Sequence, residues 1–204
     1  MKVTAINGSP RQNGNTFKLL QTVLEPLAIA GWETEIVQLA GKKIAGCKAC
    51  GQCGARKDKK CVFDNDGFNE VFAKMAASDA IIIGSPTYFA DVTAETKALI
   101  DRAGFVAMMN DCLFAGKIGA AVVALRRGGG VRGFDTINHL FLISQMIVPG
   151  STYWNIGFGL EAGAVSSDSE GLANMTQLGQ AVDLLGKAAA GAASPYPVRK
   201  EGES

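Results

Sequence analysis

A doubly wound α/β fold, with an open five-stranded parallel sheet and helices on both faces, is what this sequence predicts, and three features predict it. Strand-like and helix-like segments alternate along most of the 204 residues, as parallel neighbours require because they are joined by crossover connections. The run Ile81-Ile82-Ile83 is apolar on both pleat faces, the mark of a strand covered on both sides. Hydrophobic residues make up 48% of the chain and charged residues 19%, too apolar and too lightly charged for disorder. No apolar stretch approaches the ~20 residues of a membrane span, so the apolar excess belongs to a buried sheet.

The elements follow in order. Val3 to Ile6 is a β-branched run ending in the turn-rich segment Asn7 to Asn15, and from Thr16 to Ala30 Phe17, Leu20, Val23, Leu24 and Leu27 recur at helical spacing before Gly31 stops them. Glu33 to Leu39 alternates like a second strand. Asp66 to Ala77 reads as a helix with Phe68, Val71, Phe72 and Met75 on one face, and Asp79 to Gly84 as the third strand. Val92 to Arg102 reads as a helix, Lys117 to Leu125 as a strand and Gly133 to Met146 as a helix. The last strand is expected within Ile147 to Ile156, interrupted by Pro149 and Gly150, with loop from Phe158 to Asp168 and an Ala-rich helix from Ser169 to Ala190. One domain is expected over residues 1–192, with a cysteine-rich loop at 44–63 and a mobile tail at 193–204.

A net charge of +1 offers no basic field for a phosphate backbone, so nucleic acid is not an expected partner. Without a signal-like or membrane-spanning segment, the expected location is cytoplasmic. Four of the five cysteines fall between Cys47 and Cys61, and in that setting such a cluster points to metal or redox chemistry rather than structural disulfides. Cys112, His139, Met108 and Met109 read as packing or surface residues, and Arg56 to Lys60 as a solvated loop.

Ser9 to Thr16, between the first strand and first helix, brings hydroxyls, amides and Gly14 to a helix amino terminus, where backbone N–H groups and the dipole suit a phosphate monoester. It is not a nucleotide P-loop, since five residues separate Gly8 from Gly14 and no Lys follows. The plain alternative is a βα turn capped by Asn13 or Asn15. This loop, together with Gly84-Ser85-Pro86-Thr87-Tyr88-Phe89 and the segment Lys97 to Arg102, resembles the flavodoxin-like FMN reductases over nearly the whole chain to about Ala190. The resemblance implies FMN, its phosphate surrounded by Ser9, Arg11, Asn13, Asn15 and Thr16, with Pro86, Thr87, Tyr88 and Phe89 along the isoalloxazine ring. Tyr88 and Phe89 offer flat apolar surfaces suited to that role.

Gly128, Gly130 and Gly133 formally match GxGxxG, but no acidic residue stands about 20 positions onward to hold a ribose, so a dinucleotide site is rejected. In the resembled family this is a third flavin loop, which places Arg126, Gly128, Gly129 and Gly130 near the pyrimidine edge. The cysteines Cys47, Cys50, Cys53 and Cys61 are spaced by two, two and seven residues, with glycines that let the backbone wrap a compact inorganic core. Structural zinc usually shows two separated pairs. The pattern resembles the iron–sulfur flavoproteins, which implies a [4Fe–4S] cluster; thiols left reduced or paired as disulfides are the alternatives.

The function expected is therefore an FMN-dependent oxidoreductase passing electrons between a [4Fe–4S] cluster and FMN, with no side chain needed as a general acid. The alternatives are a cluster-free NAD(P)H-dependent FMN or quinone reductase, and a non-enzymatic electron carrier or redox sensor. NAD(P)H is the candidate donor, the partners are small-molecule or protein electron donors and acceptors, and a homodimer or homotetramer is expected.

Overall fold

The computed structural model of the chain describes residues 1–191; the tail expected at 193–204 lies outside them. The sheet contains β1 (Lys2–Asn7), β2 (Glu33–Gln38), β3 (Ala80–Pro86), β4 (Ile118–Leu125) and β5 (Ile156–Phe158). Their order is β2-β1-β3-β4-β5 and every pairing is parallel. The helices are α1 (Asn15–Ile29), α2 (Gln52–Arg56), α3 (Phe68–Ala77), α4 (Ala94–Met109), α5 (Gly130–Ile143) and α6 (Ser169–Ala190).

Strand periodicity divides the core into two layers. Ile81 and Ile83 of β3, with Ala121 and Val123 of β4, pack beneath α3, α4 and α5. The intervening Ala80, Ile82, Ala120 and Val122 pack against α1 and α6. The unbroken isoleucine run thus buries apolar surface on both faces, each such side chain contributing about 1.5–3 kcal/mol. The α3 face is buried as expected, at Phe68, Val71, Phe72 and Met75. On α1 the buried stripe includes Leu19, which the sequence pattern passed over, while Phe17 is half-exposed.

Three boundaries differ from expectation. The last strand is only Ile156–Phe158; Ile147 makes a single bridge to Ile118, and the chain leaves the sheet around Pro149, which has no N–H for a ladder, and returns at Asn155, whose carbonyl accepts from Val123 N at 2.9 Å. Helix α4 runs past Arg102 to Met109. Gly104 within it stops nothing, because a Cβ there would press on Leu140 of α5 and the glycine permits the close crossing. Helix α5 begins at Gly130, after Gly129 in a left-handed conformation. The expected loop from Phe158 to Asp168 holds one 3₁₀ turn, Ala164–Ser167. Among the described residues, no helix is long and apolar enough to cross a membrane.

Candidate functional site

The order β2-β1-β3 makes β1 and β3 the neighbours at which the sheet reverses direction of growth, and loops leaving their carboxyl ends form a crevice where open α/β sheets bind ligands. The loop after β1 is held from several sides. Gly8 donates its N–H to Gly84 O at 2.8 Å and accepts Thr93 Oγ1 at 2.8 Å, and a Cβ on it would collide with Thr96 Oγ1. Asn7 donates to Gln38 Oε1 at 2.6 Å and to Gln12 O at 3.3 Å, while Gln38 Nε2 donates to Ser9 O at 2.6 Å. Buried Ser9 accepts Arg11 N–H through Oγ at 3.1 Å. Arg11 and Asn13 are exposed.

The capped-turn alternative does not hold. Helix α1 starts from Gly14 with no side chain capping it, so Asn13 is no cap. Asn15 instead reaches across, donating to Gly159 O at 2.9 Å and accepting Val165 N–H at 3.3 Å. The first turn of α1 therefore keeps its unpaired N–H groups. Beside them Thr16 is 1% exposed, and its Oγ1 is buried without a partner.

The loop after β3 continues the sheet for one residue, with Thr87 N donating to Ala124 O at 2.8 Å, then doubles back as Tyr88 and Asp91 exchange N–H···O bonds of 2.8 and 3.0 Å. The residues between them, Phe89 (φ +48°) and Ala90 (φ +63°), are both left-handed, and Phe89 is fully exposed. Holding two residues other than glycine there stores strain. Asp91 fixes the turn to α5: it accepts Thr136 Oγ1 and Val92 N, both at 2.8 Å, and faces Arg132 at 3.5 Å. Burial would raise its pKa, but these donors outweigh it and hold the carboxyl below its ordinary value. Gly129 (φ +82°) brings the loop after β4 against Ala90. Thr87 Oγ1 is a second buried hydroxyl without a partner. The structure thus brings the segments containing Ser9 to Thr16, Pro86 to Phe89 and Arg126 to Gly130 to one end of the sheet. Behind the third loop, Val131, Tyr153, Trp154 and Phe158 border an apolar cavity of about 270 Å³ that sequence reasoning did not find.

The cysteine segment lies on the α4 side. Cys47 and Cys50 are exposed, Cys61 partly buried and Cys53 buried, and all four border one small cavity of about 20 Å³. Ala49 N donates to Cys47 Sγ at 3.4 Å. Burial, with Cys61 and Cys47 nearby, pushes the Cys53 thiol up against the lowering effect of backbone N–H groups at Gly54 and Cys53. Among the described residues no three Cys, His, Asp or Glu side chains gather to hold one metal ion. Four cysteines around one cavity, with backbone N–H groups directed at Cys47 and Cys53, form a thiol donor set that suits an iron–sulfur core and a tetrahedral zinc ion alike.

Arg102, noted in the sequence only as the end of a motif, closes this segment. It is 2% exposed, donates to Ala45 O at 3.2 Å and Phe63 O at 2.7 Å, and pairs with Asp66. Burial would raise the Asp66 pKa, but Arg102 and the N–H groups of Ala45 and Phe68 hold it below the usual range. Met109 packs on Gly54 rather than near the other loops. Cys112 stands apart, 3.6 Å from Gln145 Nε2, and His139 is exposed.

The model of the family described as NADPH-dependent FMN reductase matches residues 1–161. An iron–sulfur flavoprotein of Methanocaldococcus jannaschii is 37% identical over 194 residues, covering 89% of this chain and 95% of its own. One of Methanosarcina thermophila is 39% identical over 152 residues, covering 74% and 78%. Among solved structures, the flavodoxin, WrbA-like protein from Agrobacterium tumefaciens superposes with a TM-score of 0.63 at 14% identity, over 91% of this chain and 97% of that one.

Proposed function

The chain belongs to the NADPH-dependent FMN reductase family, in its flavodoxin-like iron–sulfur flavoprotein branch, and is a flavin-dependent oxidoreductase; from that premise we propose that FMN lies across the three loops and that a [4Fe–4S] cluster is held by Cys47, Cys50, Cys53 and Cys61. The observation that supports the flavin site most is the uncapped start of α1 beside the buried, unpartnered hydroxyl of Thr16. A phosphate ester accepts what these groups donate.

In this reading Ser9, Arg11, Asn13 and Thr16 surround the phosphate. Asn15 shapes the wall, because both ends of its amide are engaged with Gly159 and Val165. Pro86, Thr87, Tyr88 and Phe89 run along the ring, and Arg126 with Gly128, Gly129 and Gly130 meets the pyrimidine edge, where a guanidinium stabilises negative charge. FMN supplies electron exchange in pairs or singly, and an iron–sulfur cluster singly, which together couple a pair donor such as NAD(P)H to one-electron carriers. The exposed cations Lys48, Arg56, Lys57, Lys59 and Lys60 around the cysteines support an acidic protein as one such carrier. Exposed Leu142 and Ile143 on α5 support a homodimer or homotetramer.

Purification without oxygen, with flavin, iron and acid-labile sulfide assays on one sample, tests the proposal. Expected are FMN, iron and sulfide together, loss or conversion of the cluster on substituting Cys47, Cys50, Cys53 or Cys61 by Ala with FMN retained, and no change on substituting Cys112. Protein with FMN but no iron after reconstitution would leave the second reading, a cluster-free NAD(P)H-dependent FMN or quinone reductase, which the failure of the thiols to converge on one point favours.

A further inference from the structure

We propose that Arg102 is a positioning residue for the cysteine site, tying both ends of the segment to α4 and directing its buried, unpaired Nε–H at the sulfur core held there; the inference rests on the cluster reading above. The acceptors of its Nη groups flank the cysteines in the chain, Ala45 ahead of Cys47 and Phe63 beyond Cys61. Asp66 completes the closure, pairing with Arg102 while accepting Ala45 N–H at 3.1 Å. The guanidinium lies over the Phe68 ring, 4.1 Å from its centroid, so its plane is fixed.

The same side chain borders the cavity on which the four thiols open. Its Nε is buried with no acceptor, the one buried side-chain nitrogen so left among the described residues. A buried donor is costly to leave unpaired, and the cysteine sulfurs lining the cavity are acceptors that an inorganic core would bring into order around it. Asp66 neutralises the formal charge, so what Arg102 adds is a hydrogen bond rather than a net cation. Hydrogen bonds to sulfur favour the more negative, reduced cluster and raise its potential.

The test compares wild type, Arg102→Lys and Asp66→Asn, each reconstituted anaerobically with iron and sulfide, by iron content and by potentiometric titration of cluster and flavin. Arg102→Lys keeps the charge and loses Nε–H, so the cluster potential is expected to move negative while the flavin potential stays. Asp66→Asn frees the guanidinium charge and is expected to move the cluster potential positive. A purely structural role moves both variants in the same direction. Where Arg102→Lys loses iron, alkylation of the cluster-free proteins decides: Cys53, buried in the wild type, is expected to label faster in both variants, and unchanged labelling overturns the inference. Iron-loaded Arg102→Lys with the wild-type potential overturns this inference alone, whereas wild type that takes up no iron overturns the cluster reading and this inference together.

Discussion

Replacing Thr16 by Val removes one buried hydroxyl and keeps nearly the same shape. The side chain is 1% exposed, the site of a Cβ on Gly84 lies 2.9 Å from its methyl group, and Oγ1 has no partner. In protein stripped of flavin that oxygen sits buried and unpaired, so the substitution is expected to stabilise the chain by about 1 kcal/mol or more. For a domain of this length that raises Tm by about 2–4 °C. With FMN present the sign reverses. A hydrogen bond from Thr16 to a charged phosphate is worth about 1.5–3 kcal/mol, so the Kd for FMN should rise by about 10- to 150-fold. Differential scanning fluorimetry of the apoprotein and fluorescence titration with FMN measure the two quantities on one preparation. A variant that gains stability and binds FMN as tightly as wild type would refute the placement of the phosphate at this loop. One that loses stability without flavin would show that Oγ1 is satisfied in the folded chain.

Two further outcomes concern the ring loops. Tyr88→Ala is expected to shift the flavin potential or the reductase rate while leaving substantial FMN bound, because stacking adds only part of the affinity of a ring already gripped by its phosphate; potentiometry and a flavin-to-protein ratio check this, and unchanged potential and rate would move the ring elsewhere. Gly129→Ala places a side chain at φ +82° against Ala90, so a loss of about 1–3 kcal/mol is expected in urea unfolding, with weaker FMN binding as the loops after β3 and β4 are forced apart.

Periodicity and punctuation made much of this molecule legible in advance. Helix α6 runs over Ser169–Ala190 as read, and β3 is buried on both faces because its isoleucines leave no polar side. Such signals are local, each residue reporting its own face. The two ring loops and the cysteine spacing were likewise visible as short motifs. The length of β5 was not, since whether Ile147 or Ile156 pairs with β4 depends on where a proline-interrupted chain rejoins the sheet edge.

The same division runs through the candidate site. Alternating periodicity determined the α/β class and spacing the cysteines as a group, while the flavin chemistry followed from the resemblance of three ordered motifs to the FMN reductases. Only the tertiary structure decided that Asn15 braces Gly159 across 144 positions, that α1 is left uncapped, and that Arg102 joins Ala45 and Phe63 from a helix 57 and 39 residues away. Hydrogen bonds over such separations leave no periodicity in the chain. They are fixed by the parallel crossovers, which set distant segments side by side and bring buried polar groups within reach of partners far away in the chain.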